Sequence, residues 1–147
     1  MLYKWSRRRE TGEEPMPHII IEHSANLAEV IDIQSLVDAV HEAALADGLA
    51  PPAALRTRAA DRAHFRIADG DPTYAFVAIV ARVGPGRTPE AKTRFLTTLI
   101  DAVEEQLAPL ADRVPVALSA EVQEIDADFR INHNHVRTRL DRKGSTR

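Results

Sequence analysis

The sequence predicts an α/β (α+β) domain made of two tandem βαβ units, whose four strands form one mixed sheet with two helices on one face. Three observations predict it. Apolar runs of strand length alternate with longer segments of helical spacing, each helical segment opens on a capping residue, and the strand–helix–strand order occurs twice. The two helix starts, Asp32 and Thr88, lie about fifty-six residues apart. A βαβ crossover makes its strands parallel and is right-handed, so two units joined edge to edge put both helices on one face and leave the other uncovered.

In the first unit, Ile19-Ile20-Ile21 reads as a short buried strand, followed by a polar turn around Ser24 to Asn26. Asp32 caps a helix whose residues Ile33, Leu36, Val37, Val40, Ala44 and Leu45 recur at helical spacing, and Gly48 is placed to end it. A second strand is expected from about Ala54, running with a bulge or bend through Phe65 to Ile67, before Asp69-Gly70-Asp71-Pro72 turns the chain. The second unit repeats the order. Tyr74 to Val83 is a nearly continuous apolar strand, Gly84-Pro85-Gly86 is a loop, and Thr88-Pro89-Glu90 supplies an N-cap, a first-turn proline and an acid. Phe95, Leu96, Leu99, Val103 and Leu107 form the helix stripe. Val116, Leu118, Ala120 and Val122 then alternate with Ala117, Ser119, Glu121 and Gln123 as a half-exposed strand. Leu55, Thr57, Val116 and Leu118 are read as making the uncovered sheet face too apolar for water, so subunits are expected to pack sheet to sheet, with Asp126 to Leu140 as an arm reaching a neighbour.

Composition excludes several functions. The chain has 147 residues, 44% of them hydrophobic, which suits one domain with a real core. Its net charge of -3 argues against a general nucleic-acid or anionic-membrane binder. No run approaches the ~18 apolar residues of a membrane helix. With no cysteine there is no disulfide, thiolate nucleophile or cysteine-ligated zinc, which is compatible with the cytoplasm.

The start of the chain has a different character. MLYKWSRRRETGEEP carries three consecutive arginines and then glutamates, with no apolar stretch for a secretory signal. Residues 1–16 are therefore expected to be a disordered extension or a misassigned start. A basic arm for nucleic acid is weakened by Glu10, Glu13 and Glu14. The step Met16-Pro17-His18 is the sharpest signal. If translation starts at Met16 and that residue is trimmed, Pro17 becomes a secondary amine able to act as a base, tied to the first strand of the domain. The domain itself is expected over residues 17–140, followed by a basic tail over 141–147.

PHIIIEHS at Pro17 to Ser24, LRTR at Leu55 to Arg58, IADGDPTYAFVAIVARVGPGRT at Ile67 to Thr88, and ALSAEVQEID at Ala117 to Asp126 carry a resemblance. Together they resemble the 5-carboxymethyl-2-hydroxymuconate Δ-isomerases of the tautomerase superfamily. The resemblance implies a homotrimer of double-βαβ subunits, no metal or organic cofactor, an N-terminal proline as catalytic base, and a place in bacterial breakdown of homoprotocatechuate, derived from 4-hydroxyphenylacetate. In that family the proline is residue one of the mature protein, whereas here it lies inside the chain.

The chemistry is consistent with the resemblance. Moving a double bond along a 2-hydroxymuconate skeleton takes a proton from one position and returns it at another, which one base can do. A free α-amine titrates near ~7.7–8.0 and a prolyl amine is more basic, so burial and nearby arginines must lower it for the base to be unprotonated at neutral pH. Arg56 and Arg58, two apart on a strand, project from one face. Arg87 lies between a glycine loop and a helix start, where backbone can approach a ligand and the dipole is positive. Taken alone, these placements also describe solvated strand-end and cap residues. By resemblance, Arg56 and Arg87 match arginines that bind substrate carboxylates and polarise the carbonyl, and Arg58 matches a substrate-binding position.

His133-Asn134-His135 has too few ligands for a metal motif and is read as hydrogen-bonding from the arm to a neighbour. His18 and His23 read as edge or core-rim residues, and Tyr74 and Phe76 as core. The leading function is a cofactor-free isomerase acting on an unsaturated polycarboxylate. Two alternatives remain: another tautomerase-superfamily enzyme (keto-enol tautomerase, dehalogenase or decarboxylase), or a non-catalytic βαβ module binding a small effector.

Overall fold

His18–Ser24 form strand β1, in which Ile19, Ile21 and His23 are buried and His18, Ile20 and Glu22 are half-buried. The computed structural model describes residues 17–145, so the expected extension over 1–16 and the last two residues of the basic tail lie outside the described residues. Helix α1 spans Ile33–Asp47. The Asp32 carboxylate accepts from the amides of Gln34 at 2.9 Å and Ser35 at 3.3 Å, satisfying donors that the first turn leaves open. Gly48 ends the helix at φ 79°, a left-handed conformation that a side chain would strain.

Strands β2, Arg56–Arg62, and β3, Ala75–Val83, precede helix α2, Pro89–Leu107. Thr88 Oγ1 accepts from Ala91 N at 3.1 Å, with Pro89 in the first turn. Strand β4, Val116–Glu124, closes the second unit. The sheet order is β2-β1-β3-β4, with β1 parallel to β2, β3 parallel to β4, and β1 antiparallel to β3. The mixed four-stranded sheet of two βαβ units is thus the one expected. Helices α1 and α2 pack on each other, α1 also over β2 and α2 over β4. Ile19, Ile21, Val77 and Ile79 from the sheet meet Leu36, Val40, Phe95, Leu99 and Val103 from the helices, all at most 1% exposed. Asp47 adds a polar clamp between the helices, accepting from Arg94 Nε at 3.1 Å and Thr98 Oγ1 at 3.3 Å.

Three expectations are corrected. Leu55, Val116 and Leu118 belong to the helix-covered core, and Thr57 pairs with Ile19 and hydrogen-bonds His41 of α1 at 2.9 Å, so none of them faces outward. The period of two decides this: the open face instead carries Ile20, Ala78 and Val80 at its centre, with His18, Arg56, Arg58 and Arg82 toward one end. Phe76 lies on the same open face, because Ala75 and Val77 take the buried side, and its ring meets Phe65 edge-on at 6.2 Å. Strand β2 ends at Arg62, well short of Ile67; beyond it the chain leaves the β1 ladder for a bend and the turn at Gly70.

The arm contains a helix absent from the expected elements, α3 at His135–Ser145. Its Asn134 cap accepts from the amides of Val136 at 3.1 Å and Arg137 at 3.2 Å. Arg142 and Lys143 occupy its last turn, where the dipole favours cations. Asn134 also donates to the Ala53 carbonyl at 2.8 Å, which ties the arm to the entry of β2.

Candidate active site

Pro17 precedes β1 and is buried. Its carbonyl accepts from the amide of Arg56 at 3.3 Å, so the parallel ladder sets the start of β2 beside the start of β1. His18 faces Arg56 across one side of the ladder and Arg82 of β3 across the other. Strands β1 and β2 run together while β3 runs against them, so the ends of β3 and β4 meet the beginnings of β1 and β2 at this edge.

Arg56 and Arg58, alternate residues of one strand, converge on a single imidazole. Arg56 Nη1 lies 3.1 Å from His18 Nε2, and Arg58 Nη1 lies 3.1 Å from His18 Nδ1. Arg56 Nη2 also makes a long contact of 3.5 Å with Asn132 Oδ1 on the arm. Burial and then the positive charges of Arg56, Arg58, Arg82 and Arg130 hold His18 below the usual histidine range. A cluster that disfavours a proton on one of its own members favours an anion among them.

Arg87 is positioned differently. Gly86 at φ 100° supplies a backbone turn that other residues adopt only under strain, and Thr88 starts α2 one residue later. Arg87 Nη2 donates to the Leu49 carbonyl at 3.3 Å, in the loop after α1. The contacts of the candidate residues therefore fall into two groups, Pro17 with Arg56, His18 and Arg58, and Arg87 with Leu49. A hollow of about 310 Å³ lies elsewhere, between Asn26, Phe65, Arg66 and the Gly70 turn, and contains none of the candidate residues.

Sequence reasoning placed Arg56 and Arg58 on one face, and they share it. His18, expected at a rim, instead stands between Arg56 and Arg82 in the ladder, and Asn132 reaches Arg56 from the arm, two relations that the spacing along the chain does not fix. The signal for His18 and Arg82 was available in the alternation of β1 and β3, but only the register identifies which arginines stand opposite the histidine. His133 and His135 are exposed, and among the described residues there is no group of three or more His, Cys, Asp or Glu able to hold a metal. Nor is any described helix long and apolar enough to cross a membrane.

A sequence profile of 5-carboxymethyl-2-hydroxymuconate isomerase matches residues 17–140. The chain belongs to the 5-carboxymethyl-2-hydroxymuconate isomerase family. It is 31% identical over 121 residues to the 5-carboxymethyl-2-hydroxymuconate Delta-isomerase of Escherichia coli, covering 82% of this chain and 96% of that one. Its fold is similar to the crystal structure of a 5-carboxymethyl-2-hydroxymuconate isomerase from Deinococcus radiodurans R1, with a TM-score of 0.78, 28% identity, and 85% and 94% of the two chains covered. A more distant fold relative is a wild-type fused 4-OT described as a symmetric trimer, with a TM-score of 0.57, 21% identity, and 80% and 94% coverage. As a member of this isomerase family, the chain is an isomerase of tautomerase-superfamily fold. The family match begins at Pro17, the residue whose carbonyl meets Arg56.

Proposed function

We propose that the protein is a cofactor-free Δ-isomerase of 5-carboxymethyl-2-hydroxymuconate, with Pro17 as general base when it is the amino terminus. Proton abstraction from one carbon and its return to another need a single base that is neutral at working pH. The observation that carries the reading is the juxtaposition of buried Pro17 with Arg56, whose amide bonds the Pro17 carbonyl and whose guanidinium converges with that of Arg58 on His18. Burial at Pro17 disfavours a charged amine there, which supports a neutral, proton-accepting form.

In this mechanism Arg56 and Arg87 bind substrate carboxylates and stabilise the negative charge that develops on the carbonyl oxygen, while Arg58 binds a further carboxylate. Donors aimed at charge that appears only in the transition state accelerate the step itself. The pathway proposed is the breakdown of homoprotocatechuate in the bacterial cytoplasm. The working unit proposed is a homotrimer, supported by the trimeric fold relative and by Phe129, Ile131 and Val136 of the arm, which are 87%, 70% and 60% exposed.

The test compares two versions of the protein, one beginning at Met1 and one at Met16, each weighed by mass spectrometry and assayed on 5-carboxymethyl-2-hydroxymuconate. The shorter version is expected to carry a trimmed Pro17 terminus and to isomerise rapidly; the intact longer one, whose Pro17 nitrogen is a non-basic amide, is expected to be close to inactive. Equal turnover by an uncut full-length chain would refute the amine-base mechanism.

A further inference from the structure

His18 is approached by donors at both ring nitrogens. Arg56 Nη1 stands 3.1 Å from Nε2 and Arg58 Nη1 stands 3.1 Å from Nδ1. A guanidinium only donates, and a neutral imidazole accepts at one nitrogen and donates at the other. Only one of these contacts can therefore be a hydrogen bond. At the other, an imidazole N–H and a guanidinium N–H point into the same space.

Burial decides which is which. Arg56 is half-buried and also reaches Asn132 on the arm, whereas Arg58 is exposed. The less solvated pair is the costlier one to leave unsatisfied, so Nε2 accepts from Arg56 and the proton resides on Nδ1, beside Arg58. Two converging donors, one of them charged, suit an anionic oxygen between them. The backbone holds both in place: His18 lies in the ladder between β2 and β3, and Arg58 pairs with Ile20 in the same ladder.

We propose that His18 Nδ1–H and the Arg58 guanidinium together form a subsite for a carboxylate of the substrate, and that the Nε2 of the same imidazole aims Arg56. This rests on the proposed function only in calling the carboxylate the substrate's. His18 thereby becomes a specificity residue that selects dicarboxylates over monocarboxylates. Its neutral state is favoured by burial and then by the arginines around it, and a protonated ring would offer Arg56 no acceptor.

The test measures binding without turnover, so it stands or falls separately from the isomerase assay. The probes are adipate and monomethyl adipate, titrated by calorimetry into the protein, with ¹⁵N-histidine NMR following the ring. Wild type is expected to prefer the diacid by ~10-fold or more, as for a charge-assisted hydrogen bond, and adipate is expected to move the His18 Nδ1 resonance. Arg58→Gln and His18→Leu are expected to lose that preference. His18→Asn, whose amide nitrogen takes the Nδ1 position, is expected to keep it within a few-fold. The proposal is overturned if wild type does not discriminate, or if the folded Arg58→Gln and His18→Leu proteins discriminate as wild type does.

Discussion

The amide of Arg56 donates to the carbonyl of Pro17 at 3.3 Å, so the arginine and the proline are joined through backbone. That bond does not involve the Arg56 side chain, so replacing the side chain leaves the contact that sets its place. The Arg56 guanidinium reaches His18 Nε2 at 3.1 Å.

Replacing Arg56 or Arg87 by alanine is expected to leave the fold intact and to lower kcat/KM by a factor on the order of 100–1000, the loss typical of one preorganised donor to developing oxyanion charge. Circular dichroism checks the fold and steady-state kinetics the rate. Rates within a few-fold of wild type for both variants would exclude these arginines from the mechanism.

Pro17→Ala, made in the version that begins at Met16, is expected to retain part of the activity, since a primary amine replaces a secondary one in the same field. Its pH–rate profile is expected to keep a basic limb set by an amine. Complete retention of rate with an unchanged profile would show that the terminal amine takes no part.

Deleting the chain from Asp128 onward removes Phe129, Ile131, Val136 and the Asn134 bond to Ala53. Assembly is expected to weaken, seen in sedimentation as dissociation at concentrations where the full protein remains trimeric. A full-length protein that sediments as an active monomer at micromolar concentration would count against the trimer.

The folded protein is expected to lose stability as pH falls below 6.5, the ordinary histidine value. His18 is held lower than that by burial, then by Arg56 and Arg58 on β2, Arg82 on β3 and Arg130 on the arm. Below 6.5 the unfolded chain gains a proton here that the folded chain refuses, so this contribution falls with pH until folded His18 titrates and is absent above the unfolded value. Denaturant melts of wild type and His18→Asn between about pH 7.5 and 5 isolate it from the carboxylates. Parallel curves would remove His18 as the source.

Much of this architecture was legible along the chain, because its causes are local. Asp32 and Thr88 cap helices where a short side-chain acceptor precedes an apolar stripe, Gly48 ends one, and the alternation from Val116 to Val122 is a strand's. Helix α3 is not legible in the same way, since only Val136 and Leu140 break its polar run and its start is set by Asn134, a cap with no broad apolar stripe after it. The repeat of βαβ order, with the chirality of crossovers, specified two parallel strand pairs in one sheet with both helices on one face.

Only the tertiary structure decided which face is open and what gathers at its edge. The choice between Thr57 and Arg58 for the outward side turns on where α1 lands, since strand periodicity permits either. Arg82 lies far from His18 in sequence and opposite it in space because β3 runs antiparallel to β1 in one register. Two arginines competing for one imidazole is a relation between separate strands, fixed by backbone hydrogen bonds across the sheet, and no spacing along a single strand encodes it.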